Sequence, residues 1–523
     1  MNKPLITILL AMTTIAAAAQ PQQFGYINPV IPGFNPDPSV CRVGDDYYLV
    51  TSTFQYFPGV PVYHSKDLIH WEQIGNCLTR DSQLHLKDAN CSGGIYAPTI
   101  RYHEGTFYMV TTNVSGGGNF FVTTTDPAGE WSDPIWLEQG GIDPTLYFEE
   151  GKTYMVSNPR NGIYLCEIDV ETGKQLTQSR LLWQGDGGRY PEAPHIYKKD
   201  GWYYLMIAEG GTEYGHSITI ARSRDIYGPY ESNPDNPILT NFQRISQNSP
   251  IQGTGHGDLI EDQKGLWWIV FLGFRPQNGS HHLLGRETFL EPVDWSDEGW
   301  PVVNGTGTAD IQMQVATLPQ VEMPEPPVNR LSTGRFDPWY IHLNTPVEGN
   351  YSFVKDSTLR LKPTNVTLDD AGSPTFIAIR QDKHDFRLDS EVDLSSATLG
   401  DIAGISVYME NNAHADIFLR QEKSKKKQTI VVEYSLYGLK YSACEVEVDK
   451  GPAILRVDGT KTEYIFYYRD AKGKWVEASR LDTRLLSTET AGGFTGVTLG
   501  MFAVSKKGGG FSYADFKSFN YRK

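Results

Sequence analysis

The chain of 523 residues carries 46 Lys and Arg against 62 Asp and Glu, giving a net charge of −16 and a pI near 5.2. Phosphate-rich partners need a basic face, so neither nucleic acid nor an anionic membrane surface is an expected partner. The length favours two large domains, and 39% hydrophobic with 12% aromatic residues is enough to fill them.

Residues 1–20 combine Lys3, an apolar run from Leu5 to Ala11 and the small-residue ending AAAAQ, the layout of a cleaved signal peptide. A soluble periplasmic or secreted protein is therefore expected. No cysteine follows the run closely enough to carry a lipid, and no later segment is apolar over the length of a membrane helix, so no membrane anchor is expected. Cys41, Cys77, Cys91, Cys166 and Cys444 are odd in number and lack CxxC spacing, which argues against a metal cage or a disulfide framework. A Cys77–Cys91 bridge after export and buried free thiols both remain open.

A two-part signature then recurs five times. A turn glycine followed by an aromatic, alternating strand stands at Gly44 (GDDYYLV), Gly105 (GTFYMV), Gly151 (GKTYMV), Gly201 (GWYYLM) and Gly265 (GLWWIV). Seven or eight residues upstream lie DPSV at Asp37, APTI at Ala97, DPTL at Asp143, APHI at Ala193 and GDLI at Gly257. Each copy reads as strand, turn, strand, with further strands in spacers such as VYHSKDLIHWEQI, FFVTTTD and ITIARSRD. Five units of about four strands predict a five-bladed β-propeller over residues 25–316. A long β-sandwich has no reason to repeat one signature five times.

In a propeller the first strand of every blade runs along the central channel. The register places Asp37, Asp143 and Glu192, one residue before Ala193, on one ring, with Tyr96-Ala97 and His256-Gly257 at the same level. Taken singly, an Asp in a DP pair is usually a turn residue; the shared register makes a pocket of carboxylates the better account. Two carboxyl groups flanking a sugar can cleave a glycosidic bond, and a third nearby raises the proton donor's pKa by like-charge repulsion. His256 reads either as a hydrogen-bonded core histidine or as a ligand to a cation on the channel axis. No GxSxG elbow, Walker loop or HExxH occurs.

GFNPDPSVCRVGDDYYLVTSTFQYFPGVPVYHSKDLIHWEQIG, GGIYAP, GGIDPTLYF, RYPEAPHIYK and GTGHGDL together resemble glycoside hydrolase family 43, from about Asn28 to about Asn304. The resemblance implies inversion at arabinofuranosyl or xylosyl linkages. It makes Asp37 the general base, Glu192 the general acid, and Asp143 the residue that tunes and orients the acid. His256 resembles the family's axial histidine near a structural cation, often Ca2+; no organic cofactor is implied. Arg275 in FLGFRP resembles a basic residue that contacts the sugar, and Phe34, Phe54 and Tyr96 resemble pocket walls. Tyr96 stands where related β-xylosidases usually read Trp. The expected function is therefore exo-acting release of terminal α-L-arabinofuranosyl residues from plant hemicellulose oligosaccharides of arabinoxylan or xyloglucan type. β-Xylosidase or bifunctional activity is the alternative, and a non-catalytic carbohydrate-binding propeller is the rival from another class.

Residues 317–330, TLPQVEMPEPPVNR, hold four prolines and predict a semi-rigid linker. Beyond it, AGISVYME, ADIFLRQ, TIVVEYSLY, AILRVDG and TEYIFYYRD alternate between short polar turns, predicting an antiparallel β-sandwich over 331–523. The basic run Lys423 to Lys427 reads as a solvated hairpin tip. In the resembling subgroup the sandwich sends a loop toward the pocket, and TFIAIRQDKHDF is the expected loop.

Overall fold

A computed structural model describes residues 24–523 apart from 88, 248, 316, 317, 320, 322, 395, 425 and 506–511. The expected signal peptide at 1–20 lies outside the described residues, as do 317, 320 and 322 of the proline-rich stretch. Among the described residues, no helix is long and apolar enough to cross a membrane.

The chain is all-β. Its first part forms five four-stranded antiparallel sheets in succession, opening with Ser39–Val43, Thr99–His103, Thr145–Glu149, Glu192–Lys199 and Gln252–Glu261. The hairpin glycines do the work their spacing implies. Glu104-Gly105, Glu150-Gly151 and Asp200-Gly201 each have positive φ at both residues, the tight turn whose twist matches that of the flanking strands. The opening strands touch in a closed cycle, first to second through fifth and back to first.

Alternation along each strand explains the ring. Leu205 and Ile207 point into the core shared with the third sheet, whereas Tyr204 and Met206 enter the core shared with the fifth. Both faces of each sheet are thus buried, and five separate apolar cores fill the gaps between neighbours. Outside the sheets, Phe24–Ile27 pairs with Gln312–Val315 and ties the two ends of the ring together.

A buried ion pair locks the axis. Arg101 Nη1 donates to Asp258 Oδ2 at 2.8 Å, and Arg101 Nη2 donates to His195 Nδ1 at 2.8 Å. Ser39 and Tyr197 hydroxyls donate to the same carboxylate at 2.7 and 2.6 Å. These five residues belong to the first, second, fourth and fifth sheets, so one charged cluster fixes four inner strands against each other.

The remainder folds into an eight-stranded and a six-stranded antiparallel sheet around one apolar core. It docks on the ring through a mixed cluster in which Phe34, Phe54 and Tyr56 meet Ile341, Phe376 and Phe502, and through pairing of His342–Leu343 with Tyr56–Phe57. The Cys77–Cys91 bridge does not form. Cys77 is buried in the core between the first two sheets, whereas Cys91 accepts from Gln55 Nε2 at 3.4 Å.

The axial cluster sets an expectation for stability. Arg101→Met strands Asp258 as an uncompensated buried charge and should cost roughly 3–5 kcal/mol. The double variant Arg101→Met/Asp258→Leu should recover most of the loss. Thermal unfolding of both proteins checks this, and a single variant as stable as the parent would contradict it.

Candidate active site

The carboxylates reach the channel by a strained backbone device. Asp37, Asp143 and Ala193 have φ of 56°, 52° and 54°, the left-handed region that residues with a side chain seldom occupy. Each also precedes a proline, a position sterically pushed toward extended backbone. Such strain persists only where the surroundings impose it, and it clusters at functional sites. In the fourth sheet the kink opens the ladder, which skips from Glu192↔Ala208 to His195↔Met206. This is why the acid there comes from the residue before the kink rather than from the kink itself. His256 repeats the pattern with φ 44° and a register shift between Gly255 and Gly257.

Asp37, Asp143 and Glu192 line one cavity of about 110 Å³ together with Phe54, Tyr96, Thr212, His256, Arg286 and Phe494. Sites for drug-sized ligands run to about 300–1,000 Å³; this one has room for a single small ring. Phe54 is its aromatic hub, with Tyr96 at 5.3 Å and 62° and Phe494 stacked at 5.8 Å and 25°.

The three acids differ in their surroundings. Burial works to raise the pKa of Asp37, yet the Arg286 guanidinium, with Nη1 at 2.7 Å from Oδ1, holds it below the ordinary carboxylate value. The Ser52 hydroxyl donates to the other oxygen. Glu192 has no such partner: burial first, and then the charge of Asp37, push it up to about 7 against the opposing pull of Arg286. Its Oε1 lies 3.8 Å from Nε2 of His216, a buried ring that burial keeps neutral. Asp143 is raised by burial and then by the charges of Glu192 and Asp37, while accepting the Ala193 N–H at 3.1 Å. One carboxylate is thus held ionised opposite another held protonated near neutral pH.

Phe34, expected in the wall, and Arg275, expected to contact the sugar, do not line the cavity. Phe34 is fully buried behind Phe54, its ring centroid 5.9 Å away, and supports the wall without facing the cavity. Arg275 is consumed by a two-pronged pair with Glu287 at 2.7 and 2.8 Å, and that carboxylate also accepts the Gly33 N–H. The cavity's basic residue is Arg286, immediately before the third strand of the fifth sheet, Glu287–Trp295. The sandwich does reach the pocket, but not through TFIAIRQDKHDF. Thr375–Arg380 is a strand, and the Gln381 carbonyl after it lies 2.7 Å from where a Cβ on Gly33 would stand. Phe494 makes the approach: its N–H donates to Ser92 Oγ at 2.8 Å, and its carbonyl accepts from Arg286 Nη2 at 3.3 Å.

His256 lines the cavity with Nδ1 at 3.7 Å from Asp37 Oδ1. Among the described residues, no three His, Cys, Asp or Glu side chains are grouped to hold a metal ion. The surroundings do not suit an oxygen-seeking cation such as Ca2+: the nearest carboxylate is already held by Arg286, and Asp258 below it is neutralised by Arg101.

Residues 26–301 match the family profile described as glycosyl hydrolases family 43, and residues 331–522 match the β-xylosidase C-terminal concanavalin A-like domain. The chain is 39% identical to a non-reducing end α-L-arabinofuranosidase, BoGH43B, of Bacteroides ovatus, over 99% of this chain and 98% of that one. It is also 39% identical to a xylosidase/arabinosidase of Butyrivibrio fibrisolvens, over 94% of this chain and 98% of that one. The solved structure of the Bacteroides ovatus xyloglucan-locus GH43B superposes with a TM-score of 0.90 at 38% identity, covering 95% of this chain and all of that one. With its carboxylate pocket, its paired domains and full-length relatives of this kind, the chain belongs to glycoside hydrolase family 43.

Proposed function

We propose that the protein is an inverting, exo-acting glycoside hydrolase that releases terminal α-L-arabinofuranosyl residues from plant hemicellulose, with its catalytic domain a five-bladed β-propeller. The observation that carries this is the opposite tuning of two carboxylates in one cavity, Asp37 held ionised and Glu192 raised to about 7. The small cavity supports exo action, since its volume of about 110 Å³ suits one terminal ring. Export to the periplasm or beyond is supported by the signal-like residues 1–20.

In this mechanism the Asp37 carboxylate takes a proton from a water as its oxygen attacks the anomeric carbon. Glu192 delivers its proton to the departing glycosidic oxygen, the carbon–oxygen bond breaks, and the sugar leaves with its anomeric configuration reversed. Asp143 accepts the Ala193 N–H, which fixes the backbone next to Glu192 and orients the acid. Arg286 keeps Asp37 charged, and the Phe494 carbonyl steadies Arg286. A second reading, β-xylosidase or dual activity, is favoured by the xylosidase/arabinosidase relative. A purely binding role leaves the opposed tuning of Asp37 and Glu192 without a purpose.

Three outcomes are expected. On 4-nitrophenyl α-L-arabinofuranoside, kcat/KM should exceed that on the β-D-xylopyranoside, and the reverse order would favour the second reading. Asp37→Ala should cost about 10²–10⁴-fold on both nitrophenyl glycosides and natural oligosaccharides. Glu192→Ala should cost less on nitrophenyl substrates, whose leaving group needs little protonation, than on oligosaccharides. Unchanged hydrolysis in either variant would remove the role assigned.

The pH profile follows from the same charges. Activity needs Asp37 ionised and Glu192 protonated, so kcat/KM should fall as pH rises through about 7. On the acid side it should fall only below the ordinary carboxylate range. Arg286 lowers the proton affinity of both groups. Arg286→Ala should therefore reduce the rate and move both limbs to higher pH; limbs that stay in place would contradict the coupling.

A further inference from the structure

A second cavity, of about 590 Å³, lies between the ring and the sandwich and shares no lining residue with the carboxylate pocket. Its wall includes Arg330 and Arg380 with Tyr63, Trp71, Trp339 and Tyr521. Nε and Nη2 of Arg380, Nε of Arg330 and Nε1 of Trp339 are all buried without a hydrogen-bond partner. Among the described residues neither guanidinium forms an ion pair. Arg380 rests 5.7 Å from the Phe34 ring centroid, and Arg330 rests 5.7 Å from those of Trp339 and Tyr521. Asp382, also on the wall, is already engaged by the Tyr521 hydroxyl at 2.7 Å and by Lys523 Nζ at 2.5 Å.

A guanidinium cannot shed its proton in a protein, so these charges persist; Glu72, Glu325 and Asp382 share the wall, but among the described residues none of them forms an ion pair with Arg330 or Arg380. The unsatisfied groups are all donors, so an acceptor completes them, and a negatively charged one pairs best with two guanidinium groups that have no ion-pair partner. A carboxylate matches the guanidinium fork. The indoles of Trp71 and Trp339 add flat apolar surface suited to the C–H face of a sugar ring, and the volume falls within the range of small-molecule sites. We infer that this interdomain cavity is a non-catalytic site for a sugar acid, a pyranose carrying a carboxylate, with Arg380 and Arg330 binding the carboxylate. The inference does not depend on which glycoside the catalytic pocket cleaves.

Isothermal titration calorimetry on the full chain tests it, with D-glucuronate as probe, D-glucose as the uncharged ring and acetate as the carboxylate without a ring. Glucuronate should bind at least tenfold more tightly than either control. Arg380→Gln should weaken it at least tenfold and Arg380→Lys by less, while Glu192→Gln should leave it unchanged. Trp71→Ala, on the ring side of the cavity, should weaken glucuronate but not acetate, and this holds the test open if Arg380→Gln does not fold. Absence of glucuronate binding would overturn the proposal. So would acetate binding as tightly as glucuronate, or loss of binding in Glu192→Gln, which would place the ligand in the catalytic pocket.

Discussion

Three carboxyl groups share one largely buried cavity with one guanidinium, and the rest of the molecule is organised around that imbalance. Burial alone would protonate all three. Arg286 cannot serve them equally: it touches Asp37 at 2.7 Å and leaves Glu192 to be repelled by Asp37 across the cavity. One carboxylate stays ionised and another is held protonated near neutral pH, although their intrinsic chemistry is nearly the same. The Arg286 side chain is itself steadied from outside the ring, through the Phe494 carbonyl. The sandwich therefore takes part in the electrostatics of the pocket as well as in its shape.

Holding such a cluster requires a rigid frame. Side chains separated by more than a hundred residues meet because the inner strands close into a cycle, and the Arg101–Asp258 pair cross-links four of those strands on the axis. Left-handed residues before proline then turn the chain at Asp37, Asp143 and Ala193, aiming each carboxylate inward. The backbone strain is local and the support is global, a division that suits a catalytic site.

Much of this was legible from residue order. The hairpin glycines and the upstream DP or AP pairs carry the period of the ring, so the register alone brought Asp37, Asp143, Glu192, Tyr96 and His256 to one level. Arg286 and Phe494 escaped because neither belongs to the repeat: one precedes a third strand, and the other comes from the second domain. Arg275 illustrates the complementary error. Its motif looks suitable for contacting a sugar, but a glutamate twelve residues later, Glu287, captures the guanidinium, and periodicity does not report such capture. Phe34 fails for a related reason, since an aromatic beside the base can face the cavity or the core, and here the sandwich covers it.

In the proposed inverting mechanism Asp37 acts through a water and does not itself bond to the sugar. Proton NMR of the first-formed product from a nitrophenyl α-L-arabinofuranoside, recorded before mutarotation, tests this directly. Inversion gives β-L-arabinofuranose as the initial anomer. Initial appearance of the α-anomer would mean a covalent glycosyl-enzyme intermediate and would contradict it.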